Sequence, residues 1–354
     1  ITLDTTVSTS AVTFSSKTTA YTISGSGEIA GATGLTKSGG VNGTNSLRLN
    51  TTNTFTGGVT LTAGRLIINN SGALGSGSKT ITVKSSAGYF AELHLNGGNA
   101  PVVLPADFSF DVYGDSSFQG NIVNDAGNNI VNGSINIVVG GGHGFITVLG
   151  GSLTLNGTVN NARTSNRIIY FGGTGTNTVA GVIQDNPNNP AGRMYVYTTG
   201  GTWILSNPAN RYTGATFVQT NSTLVVNGRI AASTGGGVIV QNGGTLSGTG
   251  IILAATTNQS GSVLSPGPSV GTLTVNNNLT LQGTAVMEIS RAGGVLANDR
   301  VAGVSTLNYG GTLIVTNAGG SPLQAGDSFK LFAATNYVAS FASVIYTVRY
   351  TFTN

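Results

Sequence analysis

The stretch NTFTGGVTLTAGRLIINN, residues 53–70, decides the fold because a diverged copy of it occurs much later in the chain. That copy reads NRYTGATFVQTNSTLVVNG and occupies residues 210–228. Both copies join a polar turn and a Thr-Gly pair to a short apolar run that ends in Asn. A phrase repeated within one chain is typical of stacked supersecondary units, each of which needs its neighbours to bury its apolar face.

The composition favours many short strands joined by tight turns. Of 354 residues, 55 are Gly and only 7% are charged, against about 25% in an average globular domain. Hydrophobic residues make up 39%, which excludes a disordered tail, since such tails combine low hydrophobicity with high charge. Thr, Ser, Asn and Gly take the place of the missing charged residues, and they suit turns and the solvent face of strands.

Apolar and polar residues alternate along most of the chain. In GSLTLNG, residues 151–157, Leu153 and Leu155 alternate with Thr154 and Asn156. A period of two with one apolar face predicts half-buried strands. Together with the internal repeat, this alternation predicts a β-solenoid, and rungs of roughly 20–25 residues would give about 15 rungs.

The first copy, within residues 34–77, resembles the passenger-associated transport repeat, also called the autotransporter-associated beta-strand repeat. The shared parts are a Gly-Leu-Thr-Lys opening, an Asn-x-Phe-Thr-Gly-Gly centre, an Ala-Gly-x-Leu turn and an Asn-Asn-x-x-Ala-Leu-Gly ending. The second copy is looser, with Ala215 in the place of Gly58. The resemblance implies an all-β fold, a right-handed parallel β-solenoid (β-helix), secreted to the surface of a Gram-negative bacterium. It also implies that the repeat carries no catalytic residue of its own.

The same resemblance suggests the domain organisation. We expect a β-solenoid over residues 1–264, with repeat copies near 34–77 and 201–250. Residues 265–289 resemble a phrase found late in such passengers, so 265–354 are interpreted as C-terminal solenoid rungs or a cap, with a terminal strand at 343–354.

The terminal strand, SVIYTVRYTFTN, has the strongest alternation in the chain. One face carries Val344, Tyr346, Val348, Tyr350 and Phe352. One interpretation is a last strand or cap within the molecule. The other is an assembly strand that pairs with the next subunit, because open strand edges pair unless charge, proline or a cap blunts them.

Few residues are candidates for chemistry. Asp107, Asp111 and Asp115 fall on one face of an extended segment, but over about 27 Å they cannot share an ion unless the chain turns. They are a weak candidate for a Ca²⁺ or catalytic cluster, against solvated carboxylates. His94 and His143 lack partners at metal-ligand spacing, and the chain has no Cys. We therefore expect no catalytic residue, no metal and no cofactor.

Other polar and aromatic groups receive structural interpretations. SRAGGVLANDR, residues 290–300, is interpreted as a surface loop with a local ion pair among Arg291, Asp299 and Arg300. Four aromatic residues are candidates for stacking on sugars, although inward packing is favoured for them: Tyr195, Tyr197, Trp203 and Tyr212.

Charge and hydropathy exclude two partner classes. The net charge is +4 and the nearest approach to a basic cluster is Arg163 with Arg167, whereas nucleic-acid binding needs many cations on one face. No apolar run approaches the roughly 20 residues of a membrane helix. We expect neither a nucleic-acid partner nor a membrane span.

The expected function is mechanical. The sequence favours a non-enzymatic extracellular structural protein whose partner is itself and which builds a surface fibre, sheath or matrix. Two alternatives stay open: a monomeric surface adhesin that binds glycans or host surfaces, and a polysaccharide-active β-helix enzyme.

Overall fold

A computed structural model describes residues 1–40, 45–85, 89–98, 100–114, 121–138, 143–189, 191–319 and 321–348. These residues form strands, turns and bends, and they contain no helix. A membrane-spanning helix is therefore not found among them. The chain divides into two compact units, Ile1–Val196 and Tyr197–Asn354.

The strands of the first unit, of which the last crosses the unit boundary, are β1 (Val7–Ser8), β2 (Ala11–Phe14), β3 (Tyr21–Ile23), β4 (Ile29–Ala30), β5 (Gly34–Lys37), β6 (Ser46–Leu49), β7 (Val59–Leu61), β8 (Gly64–Ile68), β9 (Lys79–Lys84), β10 (Ala91–Asn96), β11 (Val103–Leu104), β12 (Phe108–Tyr113), β13 (Ile122–Ala126), β14 (Asn128–Val131), β15 (Ser134–Ile137), β16 (His143–Val148), β17 (Ser152–Leu155), β18 (Val159–Asn161), β19 (Arg167–Gly173), β20 (Thr176–Val179), β21 (Ile183–Gln184) and β22 (Met194–Thr198).

Parallel pairing stacks these strands into three sheets. Sheet 1 runs β2-β5-β7-β9-β12-β15-β18-β21. Sheet 2 contains β3-β6-β8-β10-β13-β16-β19, and sheet 3 contains β11-β14-β17-β20. Because each strand pairs with the equivalent strand one turn later, the chain coils as a β-solenoid.

The strands of the second unit are β23 (Gly201–Leu205), β24 (Gly214–Val218), β25 (Ser222–Val226), β26 (Arg229–Ile230), β27 (Gly235–Val240), β28 (Thr245–Gly248), β29 (Ile251–Ile252), β30 (Thr256–Asn258), β31 (Val263–Pro266), β32 (Thr272–Val275), β33 (Leu279–Leu281), β34 (Thr284–Ala292), β35 (Val295–Asn298), β36 (Arg300–Asn308), β37 (Thr312–Asn317), β38 (Phe332–Val338) and β39 (Ser343–Val348).

The second unit is built in the same way. Sheet 4 runs β23-β25-β28-β31-β34-β37-β39. In sheet 5, β24-β27-β30-β33 and β26-β29-β32 both lead to the long strand β36, which pairs with β38. The β34–β35 hairpin is the antiparallel pair among the described strand pairings.

The alternation in the sequence produces the core directly. In β17, Leu153 and Leu155 are buried while Ser152 and Thr154 are half-buried, and the inward apolar residues of successive turns stack on one another. Typical turns are 24 residues long, as the hydrogen bond from Asn156 to Asn132 illustrates. The chain makes about 12 turns, fewer than the 15 expected, because some turns are longer than 25 residues.

Turns between strands depend on close backbone approach. Gly151 has a φ of +74°, and a Cβ there would lie 2.2 Å from the carbonyl oxygen of Gly127 on the preceding turn. Buried Asn side chains also accept backbone hydrogen bonds from the preceding turn: the Leu153 N–H donates to Oδ1 of Asn177 at 3.0 Å, and the Ile29 N–H donates to Oδ1 of Asn53 at the same distance.

The predicted division at residue 264 stays a prediction. Strand β39 forms the described part of the predicted terminal strand, and residues 349–354 lie outside the described residues.

Candidate functional site

Strand β39 forms an open edge at the end of sheet 4. It pairs in parallel with β37, with Leu313 opposite Val344 and Val315 opposite Tyr346. Its other edge has no strand partner among the described residues. An apolar side chain on β39 is therefore left uncovered at a position that is buried one turn earlier. Leu313 on β37 is 9% exposed, whereas Val344, its partner on β39, is 65% exposed.

The predicted assembly residues lie on this edge as far as the structure describes them. Tyr346 is 51% exposed, like Val344 on the same face, and Ile345 on the opposite face is 44% exposed. Val348 ends the strand, although its side chain is outside the described part. Tyr350 and Phe352 lie outside the described residues. Apolar side chains are therefore uncovered on both faces of β39.

The rest of the last turn is also apolar. The ring of Tyr309 lies 4.7 Å from that of Phe341 and stacks on that of Tyr337 at 6.1 Å. Tyr337 and Val338 at the end of β38 are about half exposed. The last turn of the second unit thus presents an aromatic and aliphatic surface.

The first turn of the first unit is uncovered as well. Among the described strands, β1 pairs only with β4 and β2 only with β5. The other side of β3 is covered by residues 1–3, whose backbone bonds to Thr22 and Ser24. Ile1, Val7 and Tyr21 are exposed there.

The three candidate carboxylates have different surroundings. Asp107 is exposed in the turn before β12, and Asp111 is half-buried within β12. Asp115 lies outside the described residues. In the part of the chain that the structure describes, no three His, Cys, Asp or Glu side chains converge as a metal site would require. The cluster of three therefore stays a prediction.

Asp111 begins a ladder of amide side chains along the outer face of sheet 1. Nδ2 of Asn136 donates to Asp111 Oδ1 at 2.8 Å, Nδ2 of Asn160 donates to Asn136 Oδ1 at 2.9 Å, and Nε2 of Gln184 donates to Asn160 Oδ1 at 2.5 Å. Three turns of the solenoid follow Asp111 in this ladder. Its carboxylate therefore has a structural role as the terminal acceptor.

A buried ion network lies on the neighbouring sheet 2, and the residue spacing did not indicate it. Glu92 Oε2 accepts a hydrogen bond from Arg65 Nε at 2.9 Å and lies 3.1 Å from Nε2 of His94. The other ring nitrogen, Nδ1, lies 2.8 Å from Asp125 Oδ1. The register between β10 and β13 shifts beside Asp125, and this bulge turns the carboxylate toward the imidazole.

The pKa values in this network follow from burial and partners. Burial alone would lower the pKa of His94, but hydrogen bonds and charge from Asp125 and Glu92 outweigh it and raise that pKa. Burial alone would raise the pKa of Glu92, but His94 and Arg65 hold it below its usual value. The arrangement stabilises a protonated imidazole between two carboxylates.

Two buried lysines donate hydrogen bonds to backbone carbonyl groups and not to carboxylates. Lys37, from the Gly-Leu-Thr-Lys opening, donates from Nζ to the carbonyl oxygens of Ser38, Gly39 and Ala63. Lys79 Nζ donates to the Phe55 carbonyl at 2.5 Å and lies 4.3 Å from the centre of that ring. Burial lowers the pKa of both lysines, and that of Lys79 falls to about 8.

Other candidate residues are placed differently from expectation. Arg291 pairs with Asp327 and not within its own segment, which is the β34–β35 hairpin and not a simple loop. Asp299 instead accepts the N–H groups of Gly271 and Glu288. Among the aromatic candidates, Trp203 and Tyr212 are buried, as favoured, while Tyr195 and Tyr197 are half-buried.

The comparison with known families concerns the two copies of the opening phrase. The model of the passenger-associated transport repeat matches residues 41–68 and 200–226. Two segments of the chain are therefore similar to the passenger-associated transport repeat. The first contributes β6, β7 and β8, and the second contributes β23, β24 and β25, so each repeat supplies consecutive solenoid strands.

These repeats give the coarse function. Passenger-associated transport repeats indicate the passenger region of an autotransporter, and this family implies secretion to the cell surface of Gram-negative bacteria. A non-catalytic passenger is consistent with them. No curated protein matches the chain.

Proposed function

We propose that the chain is a non-enzymatic structural segment of a surface passenger and that its partner is another copy of itself. Copies associate end to end, through strand β39, into a fibre, sheath or matrix on the surface of a Gram-negative bacterium. The observation that carries the proposal is the uncovered edge of β39, where Val344, Ile345 and Tyr346 are exposed on a strand with a free side.

The physical reason is the cost of leaving that edge open. A flat strand edge with unpaired N–H and C=O groups and apolar side chains is a template for pairing with another chain. Among the described residues of the last turn, the charged side chains are Asp327 and Lys330, and Asp327 is held by Arg291. Little charge therefore blocks association.

A second copy is the occupant that fits this edge. The first turn of the chain presents strands with an unpaired side and exposed apolar residues, and the last turn presents the same features. A parallel solenoid turn stacks on another parallel turn by backbone hydrogen bonds and burial of apolar side chains. Such contact between unlike ends is heterologous, so it continues into an open chain of subunits.

The test is sedimentation velocity over a wide range of protein concentration. The unaltered protein is expected to form oligomers that grow with concentration, and Val344→Lys is expected to sediment as a single small species. Leu149→Lys is the matched control, because Leu149 is an equally exposed apolar residue, at 60% against 65% for Val344, on another turn. Association that survives Val344→Lys, or that Leu149→Lys abolishes equally, would contradict the proposal.

A further inference from the structure

The outward face of sheet 4 carries a column of hydroxyl side chains. Constant parallel register places one outward residue from each strand of the sheet side by side. The residues that follow them in their strands, such as Trp203, Leu224 and Leu246, are fully buried, so the column faces away from the core. Its members, in strand order, are Thr202, Thr223, Thr245, Val263, Thr284, Thr312 and Ser343.

A second outward column lies beside the first, two residues further along each strand. It combines aliphatic and hydroxyl side chains and consists of Ile204, Val225, Ser247, Ser265, Val286, Ile314 and Ile345. Within the strands of sheet 4, the charged residues are Glu288 and Arg291, and both lie beyond the two columns in β34. The two columns therefore form a neutral array of hydroxyl and methyl groups.

The threonine hydroxyls of the first column are available to a ligand. Four of these threonines are half-buried surface residues whose hydroxyls bond to no protein group among the described residues: Thr223, Thr245, Thr284 and Thr312. Elsewhere on the same sheet, the hydroxyls of Thr316 and Thr347 bond to each other at 2.9 Å. Because β-branched side chains have few rotamers, the column holds its hydroxyls in fixed positions at little cost in entropy.

Sheet 1 shows how such a column is otherwise used. Thr36, Thr60 and Thr82 also lie in register on an outward face, but the next member of that column is Asp111. From Asp111 onward, the amide ladder satisfies its own hydrogen bonds. Sheet 4 differs because its column stays neutral over all of its strands and leaves its threonine hydroxyls free.

The spacing of the array resembles that of water molecules in ice. Parallel strands lie about 4.8 Å apart, and alternate residues of one strand lie about 6.6 Å apart. Water in ice forms tetrahedral hydrogen bonds of about 2.75 Å, so second-neighbour oxygens lie about 4.5 Å apart and the layers repeat about every 7.3 Å. Both periods of the array agree with those of ice to within about a tenth.

Other ligand classes fit the two columns less well. A polyanion or an anionic membrane needs cations on the protein, and the columns contain none. A stable contact with a second protein copy buries about 800 Å² on each partner, whereas the array covers roughly 400 Å². The columns also contain no aromatic ring on which the C–H face of a sugar would stack.

We infer that the outward face of sheet 4 is an ice-binding surface. The hydroxyls of the first column anchor water molecules near lattice positions, and the methyl groups of the second column leave the neighbouring water free to bond to other water. The inference does not rest on self-association. Val344 lies between Ser343 and Ile345 on the other face of β39, so the non-assembling variant Val344→Lys keeps the whole array.

The first test is ice-affinity partition. Solutions of the unaltered protein and of Val344→Lys are frozen slowly onto a cooled probe, and protein is measured in the ice and in the remaining liquid. Growing ice excludes ordinary solutes, so enrichment of both proteins in the ice is the expected result. Exclusion of both proteins from the ice would overturn the inference, whether or not the unaltered protein assembles.

Substitutions locate the surface. Thr245→Lys, in the middle of the first column, is expected to abolish the enrichment, because a long charged side chain interrupts the array. Thr257→Lys is the matched control, since Thr257 is a half-buried outward threonine on sheet 5 of the same unit. It should keep the enrichment. Unchanged enrichment in Thr245→Lys, or an equal loss in Thr257→Lys, would overturn the inference.

A gentler variant tests the hydroxyls themselves. Thr245→Val with Thr284→Val removes two hydroxyls and keeps the side-chain shape, so the fold is retained even if Thr245→Lys disturbs it. Circular dichroism checks that each variant is folded. The valine variant is expected to partition less into ice than the unaltered protein. Undiminished enrichment would show that the hydroxyls anchor no water and would overturn the inference.

Two further measurements separate the other occupants. Binding to microcrystalline cellulose that Thr245→Lys abolishes, together with exclusion from ice, would assign the face to a neutral glycan instead. Sedimentation velocity of Thr245→Lys should match that of the unaltered protein. A loss of oligomers like that expected for Val344→Lys would make the face a contact between copies, and it would overturn the ice-binding assignment.

Discussion

His94 Nδ1 lies 2.8 Å from Asp125 Oδ1, although the two residues are 31 positions apart in the sequence. The contact joins adjacent turns of sheet 2 and completes a line of alternating charges with Glu92 and Arg65. In a chain with so few ionisable residues, a buried network of this size is a local determinant of stability.

The network predicts a pH-dependent role for His94. The folded-state pKa of His94 is raised, so its stabilisation is complete below about pH 6.5, the unfolded value, and is lost as pH rises through the folded pKa. His94→Gln should lower the free energy of unfolding by about 1–3 kcal/mol at pH 6. The difference should shrink toward pH 8.5 in urea titrations. His143→Gln is the control, because burial lowers the pKa of His143 and its contribution to stability should not shrink as pH rises. A difference for His94→Gln that does not depend on pH would contradict the role.

Lys79 predicts a free energy of unfolding that rises with pH in the alkaline range, opposite to the trend for His94. Burial lowers its folded pKa to about 8, below the unfolded value of 10.5, so the folded protein releases this proton first and stability rises with pH above 8. The free energy of unfolding of the unaltered protein should therefore rise relative to that of Lys79→Met between pH 7.5 and 9.5. Lys84→Met, at an exposed position, should show no such growth. A flat difference for Lys79→Met would be inconsistent with a depressed pKa.

The second repeat differs from the first at a position where the neighbouring backbone leaves more room for a Cβ atom. A Cβ at Gly57 would lie 2.3 Å from the carbonyl oxygen of Thr33, whereas one at Gly58 would meet only the Thr80 carbonyl at 3.1 Å. The second repeat keeps Gly214 and has Ala215 at the looser position. Gly57→Ala should cost about 1–3 kcal/mol, as overpacking does, and Gly58→Ala clearly less. Thermal unfolding followed by circular dichroism measures both, and equal losses would refute this explanation.

Asp111 is predicted to act as a hydrogen-bond acceptor. Because Asn136 donates to Oδ1, Asp111→Asn keeps an acceptor and should change the free energy of unfolding by less than about 0.5 kcal/mol. Asp111→Ala should cost about 1 kcal/mol. Calcium should raise the melting temperature of neither the unaltered protein nor Asp111→Asn. A calcium-dependent rise that Asp111→Asn abolishes would favour the metal cluster instead.

The fold was predictable because its determinants are local. Alternation places Leu153 and Leu155 inward, and the repeat of Asn53 at Asn210 marks equivalent corners, so stacking follows from the sequence. The polar sites were not predictable, since each depends on register between turns. His94 meets Asp125 only through a bulge, and Lys37 is buried because three backbone carbonyls converge on it.

The number of solenoid turns was also not predictable from the sequence. An expected rung of 20–25 residues fits the turn from Asn132 to Asn156, which is 24 residues long. It does not fit the turn between the paired residues Leu93 of β10 and Ile122 of β13, which is longer than 25 residues. Insertions at corners leave the strand pattern unchanged, so the pattern of alternation provides no direct count of turns.

The measurement that tests the central claim most directly is electron microscopy of the purified, untreated protein over a range of concentration and salt. End-to-end association through β39 predicts filaments, and it predicts that removal of residues 343–354 abolishes them. Separate particles under every condition, or filaments that persist without these residues, would contradict it.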